Sequence, residues 1–138
     1  MSGNAYANGH AGGNDGLPPF FRFAPYRLPS ARYAAVFERG DSKACGSMVL
    51  KWIPNGLDKT CLGVVSTKKV FRLAVTRSRV RRLMREAFRL ERPGLKPGFD
   101  LVLMGRSRLA GQDCNQTRRD LLWLCRKAGL LAEGNDHA

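Results

Sequence analysis

The 138-residue chain has few acidic side chains and no long apolar run. Eleven Asp and Glu stand against 24 Lys and Arg, which leaves a net charge of +13. A polyanion that screens such self-repulsion is the expected partner, so nucleic acid or an anionic membrane is considered first. No stretch approaches the ~20 apolar residues that span a bilayer, and the amino terminus has neither a basic start nor an apolar signal core. We therefore expect a cytoplasmic protein that binds nucleic acid and no membrane.

The usual groups of a nuclease or metal site are also scarce. Both histidines, His10 and His137, lie near the chain ends, and the carboxylates form no D-x-D cluster that could hold two metal ions. The four cysteines have no C-x-x-C spacing and no neighbouring histidine, which argues against a zinc site or a disulfide framework. The sequence thus predicts no catalytic residue and no metal held by the protein alone. It also predicts reduced thiols, with Cys61 and Cys125 packed as small apolar groups.

Composition divides the chain into one domain and two tails. Residues 1–18 are rich in Gly and Asn and cannot bury enough apolar surface to offset their ordering entropy, so we expect a disordered tail there. Residues 132–138 are expected to be disordered as well. The folded domain is predicted to span residues 19–131, a length that suffices for one hydrophobic core.

Apolar periodicity and turn residues predict the order α-β-β-β-α-β-α within this domain. The first helix is predicted to start with Ser30 as N-cap and to end at Gly40. The remaining predicted elements are strands near Asp41–Cys45, Ser47–Ile53 and Cys61–Val65, a helix from Thr76 to Pro93, a buried strand Phe99–Met104, and a last helix closed by Gly129. Such an order is typical of an α+β fold in which helices cover one sheet.

The second predicted helix carries most of the charge. Residues 68–92 contain ten basic and two acidic side chains, a net of +8 out of +13. At 100° per residue the apolar positions gather on one side of this helix. The arginines on the opposite side are Arg79, Arg81, Arg82, Arg85 and Arg89. Only Glu86 is placed to pair with any of them, so this face indicates binding to polyphosphate rather than a merely solvated surface.

Two arginines lie at positions where a positive charge destabilises a helix. Arg77 and Arg79 lie near the predicted helix N-terminus, where a positive charge costs about 0.3–1 kcal/mol. A bound anion reverses that sign, because the free backbone N–H groups and the guanidinium groups would then both hold phosphate. We therefore expect both side chains to be exposed and available to nucleic acid. The preference for Arg over Lys suits folded or single-stranded RNA as well as DNA.

Four segments of the sequence resemble the bacterial ribonuclease P protein family. Ala74–Glu86 is similar to the family signature A-V-x-R-N-R-x-K-R-x-x-R-E at the same spacing, with Ser78 in place of the asparagine. Ser66–Lys69 resembles the S-K-K strand end, Tyr33–Gly40 the F-x-x-V-F-x-x-G helix, and Gly98–Val102 the opening of the last strand. The likeness covers about residues 20–131.

The resemblance implies a two-layer α/β sandwich with a left-handed β-α-β crossover, the ribosomal protein S5 domain 2-like fold. Chain physics alone would favour a right-handed crossover. It also implies two partners, a catalytic RNA and precursor tRNA, and a role in removing the 5′ leader in which the RNA performs the catalysis. No protein partner is implied, and Mg²⁺ is expected to be held mainly by the RNA.

By similarity, two groups of residues are expected to contact RNA. The RNA-binding group is Lys68, Lys69, Arg72, Arg77, Ser78, Arg79, Arg81, Arg82, Arg85 and Arg89. The leader-binding group, in a cleft between the first helix and the sheet, is Tyr33, Phe37, Lys51 and Ser66. From the sequence alone an aromatic pair at i, i+4 is more often core, so only the resemblance assigns the two aromatics to the leader.

Three other functions remain open from the residues alone. A ribosomal or other structural RNA-binding protein would share the size and charge. A helical DNA-binding module is less consistent, because among the arginines only Ser78 is a residue that reads bases. A protein-only nuclease is least consistent, since no histidine or carboxylate cluster is in place.

Overall fold

One mixed sheet organises residues 24–132, the part of the chain that the computed structural model describes. The elements are α1 Tyr33–Arg39, β1 Asp41–Ala44, β2 Met48–Pro54, β3 Cys61–Val65, α2 Ala74–Glu91, β4 Phe99–Gly105 and α3 Cys114–Ala128. Their order is the predicted α-β-β-β-α-β-α. The predicted tail 1–18 and nearly all of the tail 132–138 lie outside the described residues, so the tails and the domain limits stay predictions.

The four strands lie in the order β1-β2-β4-β3, so the strand that comes last in the chain is central. β2 pairs antiparallel with both β1 and β4, whereas β3 and β4 are parallel and are connected through α2. The left hand of this crossover stays a prediction from the resemblance. On the outer side of β3 a short upstream segment is attached, where Leu28 N donates to Leu62 O at 2.9 Å.

The two faces of the sheet bury different sets of side chains. Because side chains alternate along a strand, one face of the sheet packs against α2 and α3 and the other against α1. The first core includes Met48, Leu50, Leu62, Leu101 and Leu103 from the sheet with Val80, Met84, Phe88, Leu121 and Leu124 from the helices. The second, smaller core is made by Leu28, Val36, Cys61 and Val102. The sheet and the α2–α3 pair thus form the two layers, and the short α1 covers part of the opposite face.

The start of α1 differs from the prediction. Ser30 is the first residue of a 3-10 turn, Ser30–Arg32, and no side chain caps either this turn or α1, so the predicted N-cap is wrong. The end at Gly40 is confirmed, for a reason the sequence does not show. A Cβ on Gly40 would lie 2.5 Å from Val36 O and 2.8 Å from Trp52 O, so only glycine lets α1 end this close to β2.

The two long helices begin differently from each other. α2 starts at Ala74, two residues before the predicted Thr76, and no side chain caps it. Arg77 consequently lies at the end of the first turn and Arg79 in the second, where the effect of the helix dipole is weaker. α3 is capped by Asp113, whose carboxylate accepts from Gln116 N while the Gln116 side chain accepts from Asp113 N. It ends at Gly129, which has φ +76° as expected of a glycine that closes a helix.

The cysteines are placed in the structure as the composition predicts. All four thiols are free, and Cys61 and Cys125 are buried. Burial raises the pKa of the Cys125 thiol to about 12, so this side chain stays neutral in the core. Within residues 24–132, none of the helices is long and apolar enough to cross a membrane.

Candidate nucleic-acid interface

α2 divides its side chains between the core and the surface as its periodicity predicts. Val80, Met84, Ala87 and Phe88 are buried against the sheet and α3. Leu83, which the same pattern places in the core, is only half-buried and lines a cavity. The arginines of the other face fall into three groups according to what their guanidinium groups contact.

The first group holds the protein backbone. Arg77 Nη1 donates to Phe71 O at 2.9 Å and to Arg72 O at 3.1 Å, and the side chain is half-buried. These bonds fasten the segment before α2, in which Phe71 is itself buried. The expectation that Arg77 is exposed is therefore wrong, whereas its contact with RNA stays a prediction.

Arg79 makes the same kind of contact on the other side of the helix. Its Nη1 donates to Ala110 O at 2.6 Å and its Nη2 to Gln112 O at 3.0 Å, which joins α2 to the 3-10 turn before α3. Arg79 is exposed as predicted, but its donors are partly engaged. Charge-assisted bonds of this geometry also fix the direction in which the guanidinium points.

The second group lies where β3 ends beside the start of α2. Arg81 Nη1 donates to Ser66 Oγ at 2.7 Å and Nη2 to Ser78 Oγ at 3.4 Å, while Ser66 Oγ donates to Arg77 O at 3.3 Å. The structure therefore brings together Ser66, expected to contact the leader, and three residues expected to contact the catalytic RNA. Ser78, in the position of the family asparagine, is exposed and makes a weak contact to Arg81.

Several guanidinium groups crowd near Tyr33. Burial lowers the pKa of Arg85, and the charges of Arg81, Arg27 and Arg82 lower it further, whereas Tyr33 acts in the opposite direction. Arg27 lies next to β3 through its bridge to Leu62. Like charges that interact in this way repel one another, so a bound anion would stabilise this cluster.

The third group consists of the remaining basic residues. Arg89 is paired with Glu86, as predicted, with a closest approach of 2.5 Å. Arg82 is exposed and makes no hydrogen bond or ion pair within the described residues. Lys68, Lys69 and Arg72 are exposed in and just after the turn that follows β3. The basic surface therefore runs from this turn along the open face of α2.

The aromatic residues of α1 lie on the other face of the sheet. The Tyr33 ring packs on Gly63, where an added Cβ would lie 2.4 Å from the ring. Phe37, one turn further, is 41% exposed, which is inconsistent with a core position. Lys51 pairs in register with Val102, so it shares the α1 face of the sheet at half exposure. Tyr33, Phe37 and Lys51 thus lie on the same face of the sheet, whereas Ser66 is held on the side of α2.

The sequence did not predict the roles of two side chains near this surface, Arg27 and Asp100. Arg27 has no periodic context, and only its bridge to Leu62 brings it to the basic cluster. Asp100 is 3% exposed and lies 3.0 Å from Arg32 Nε, without good alignment for a hydrogen bond, while it accepts from Asn55 Nδ2 at 2.9 Å. Its carboxylate is therefore structural. Within residues 24–132, His, Cys, Asp and Glu do not form a group of three or more that could hold a metal ion.

Comparison with known proteins gives one consistent result. The family model described as Ribonuclease P matches residues 26–129. The ribonuclease P protein component of Natranaerobius thermophilus is 37% identical over 100 residues, which cover 72% of this chain and 86% of that protein. The RNase P protein from Thermotoga maritima has 31% identity and a TM-score of 0.65, covering 72% of this chain and 96% of that one. The fold also matches that of the Staphylococcus aureus RNase P protein, at 23% identity and a TM-score of 0.68 over 78% of this chain and 98% of that one. Sequence and fold together show that the chain belongs to the ribonuclease P protein family.

Proposed function

We propose that this chain is the protein subunit of a ribonucleoprotein endoribonuclease that matures tRNA. It binds the catalytic RNA through α2 and the turn before it, and the 5′ leader of precursor tRNA across the α1 face of the sheet. Family membership implies an RNA partner and a place in tRNA processing. The protein contributes binding energy and positive charge, and the RNA performs the cleavage that forms the mature 5′ end.

The observation that carries the proposal is the crowding of guanidinium groups where β3 meets α2. Arg81 is fixed there by its 2.7 Å bond to Ser66 Oγ. Burial lowers the pKa of Arg85, and the charges of Arg81 and Arg27 lower it further. Several phosphates in a row would relieve this repulsion, and arginine binds phosphate through paired N–H donors. An RNA backbone that follows α2 also reaches the exposed lysines Lys68 and Lys69.

The leader assignment is supported by the position of α1. Tyr33 and Phe37 stand beside a sheet face on which Lys51 supplies a positive charge, and Phe37 is exposed. Aromatic rings beside a basic group are the usual platform for unstacked bases of single-stranded RNA. The guanidinium cluster near Tyr33 joins this face to α2, so one RNA assembly can contact both surfaces.

We further propose that Mg²⁺ is held mainly by the partner RNA and that the complex acts in the cytoplasm without another protein. Added positive charge lowers the repulsion between two large polyanions, so the protein should reduce the Mg²⁺ concentration required for cleavage. The protein alone should cut no RNA at any Mg²⁺ concentration, because its described residues offer neither a metal-binding cluster nor an imidazole.

The central test measures binding to the catalytic RNA as a function of salt. Contacts to about six to eight phosphates would lower the affinity by several orders of magnitude between 50 and 200 mM salt. Lys69→Ala should reduce the slope of log K against log salt by about one. Lys43→Ala removes the same charge from β1, at the opposite edge of the sheet, and should leave the slope unchanged. A flat salt dependence, or co-sedimentation with ribosomal subunits without stimulation of tRNA cleavage, would contradict the proposal.

The leader assignment has its own matched pair of variants. Phe37→Ala should weaken binding of precursor tRNA to the complex by about 1–3 kcal/mol and leave binding of mature tRNA unchanged. Trp123→Ala removes an aromatic ring of similar exposure, 40% against 41%, from α3 and should affect neither substrate. Equal weakening of both substrates by Phe37→Ala would show that this residue supports the fold rather than the leader.

A further inference from the structure

A cavity of about 230 Å³ lies between α2 and the start of α3. It is lined by Arg79, Arg82, Leu83 and Glu86 of α2 and by Cys114 of α3. The four α2 residues recur at i, i+3, i+4 and i+7, so they form one stripe on the helix. This stripe adjoins the arginine face proposed to bind RNA and shares Arg79 and Arg82 with it.

Two of the side chains that line the cavity are held in place by contacts outside it. Arg79 is held by the carbonyls of Ala110 and Gln112, and both Glu86 oxygens are engaged by Arg89. Burial, with Glu86 and Asp113 adding to it, raises the pKa of the Cys114 thiol, so this wall is neutral at ordinary pH. Leu83 contributes an apolar surface. The cavity is therefore partly preformed, and its walls combine charged, apolar and neutral polar surfaces.

The same contacts argue against a phosphate as the occupant. Arg79 already donates two hydrogen bonds to the backbone, and the Glu86 carboxylate would face any anion that entered. A neutral planar ring has no such penalty, because it can stack on a guanidinium plane and donate N–H groups to a carboxylate. The volume is below the ~300–1000 Å³ of pockets for drug-sized ligands, which suits a single ring system.

We propose that this cavity receives one unstacked nucleobase of the catalytic RNA, an inference that rests on the proposed function of α2. Arg82 and Leu83 provide the stacking surfaces, and Glu86 accepts a hydrogen bond from the edge of the base. The RNA backbone passes outside, along the arginine face, while the base points inward between the two helices. Binding at this site therefore adds base contacts to the phosphate contacts of α2.

The first test fills the cavity with a side chain. Leu83→Trp should lower the affinity for the catalytic RNA about tenfold, the loss expected for one base stack. The salt slope should stay unchanged, because no phosphate contact is removed. Leu90→Trp is the matched control: Leu90 lies two turns further on the same side of α2, is 37% exposed, and is not among the residues that line the cavity. Wild-type affinity of a folded Leu83→Trp variant would overturn the inference and leave the proposed function intact. Failure of the wild-type chain to bind the RNA would instead contradict the proposed function.

The second test leaves the side chains of the cavity unchanged. It tests for a base in the cavity even if Leu83→Trp does not fold. In a Cys45→Ala chain the remaining half-exposed thiol is Cys114, since Cys61 and Cys125 are buried. Saturating catalytic RNA should slow the alkylation of Cys114 by N-ethylmaleimide at least about tenfold. The free energy of one base stack would leave the cavity empty, and Cys114 accessible, in about a tenth of the complexes. Inorganic polyphosphate, which has charge but no bases, should not slow it. Equal protection by both polymers, or by neither, would exclude a base in the cavity.

Discussion

Replacing Arg79 by alanine removes two hydrogen bonds that join α2 to the segment before α3. Its guanidinium donates to Ala110 O at 2.6 Å and to Gln112 O at 3.0 Å. Hydrogen bonds from a charged donor contribute about 1.5–3 kcal/mol each, and water replaces part of that contribution here because Arg79 is exposed. We expect Arg79→Ala to lower the free energy of unfolding by about 1–2 kcal/mol in total. Each kcal/mol lost should lower the Tm by about 4–8 °C.

Two further variants separate this structural contribution from the loss of charge. Arg82→Ala removes the same charge one turn further along, where no hydrogen bond within residues 24–132 is lost, so the stability should change by less than about 0.5 kcal/mol. Arg79→Lys keeps the charge but cannot reproduce the two-pronged contact, so its stability should lie between those of wild type and Arg79→Ala. Urea denaturation at one pH and salt concentration gives all three values, provided the m-values agree. Equal stability of Arg79→Ala and Arg82→Ala would refute a structural role for the two carbonyl contacts.

Three more outcomes follow from buried groups. Asp100→Asn should lower the free energy of unfolding by about 2 kcal/mol. This is less than the ~3–5 kcal/mol lost from a fully buried ion pair, because the Arg32 side chain is 35% exposed. The folded variant should still support cleavage by the complex. Gly63→Ala should displace the Tyr33 ring, which a new Cβ would approach to 2.4 Å; we expect a loss of about 1–3 kcal/mol by denaturation and a smaller preference for precursor over mature tRNA. Burial raises the pKa of Cys125 to about 12, so above about pH 9 the thiol ionises first in the unfolded chain and the free energy of unfolding falls. Urea titrations should show that this free energy falls less steeply with pH in Cys125→Ala than in the wild type. Identical pH profiles would contradict this.

Local sequence signals account for most of the fold. The apolar spacing of α2, the continuous apolar run of β4 and the glycine that closes α3 each act through neighbours in the chain, so the elements could be predicted with their boundaries nearly correct. The start of α1 was predicted wrongly because a serine before a helix is compatible with either a cap or a 3-10 turn. The capping box at Asp113 was readable from the spacing of Asp and Gln and was overlooked.

The interface was predictable in outline but not in its contacts. Charge and periodicity place the arginines on one face of α2, yet Arg79 reaches carbonyls 31 and 33 residues away in the chain. Such partners depend on how α3 docks, which no local pattern reveals. The same holds for Leu83, whose position in the apolar stripe predicts burial although the start of α3 leaves a cavity beside it.

The central position of β4 has a consequence for how the protein forms during synthesis. β2 and β3 do not pair with each other, and β3 is joined to the β1–β2 pair through β4, which follows β3 by more than thirty residues. A ribosome that has released residues 24–98 has therefore exposed both of these strands and the arginine helix without the strand that unites them. Strand pairing over such a sequence separation is slower than the formation of a local hairpin. The nascent chain should form the β1–β2 hairpin early, but should complete its sheet and its RNA-binding surface only when β4 and α3 emerge.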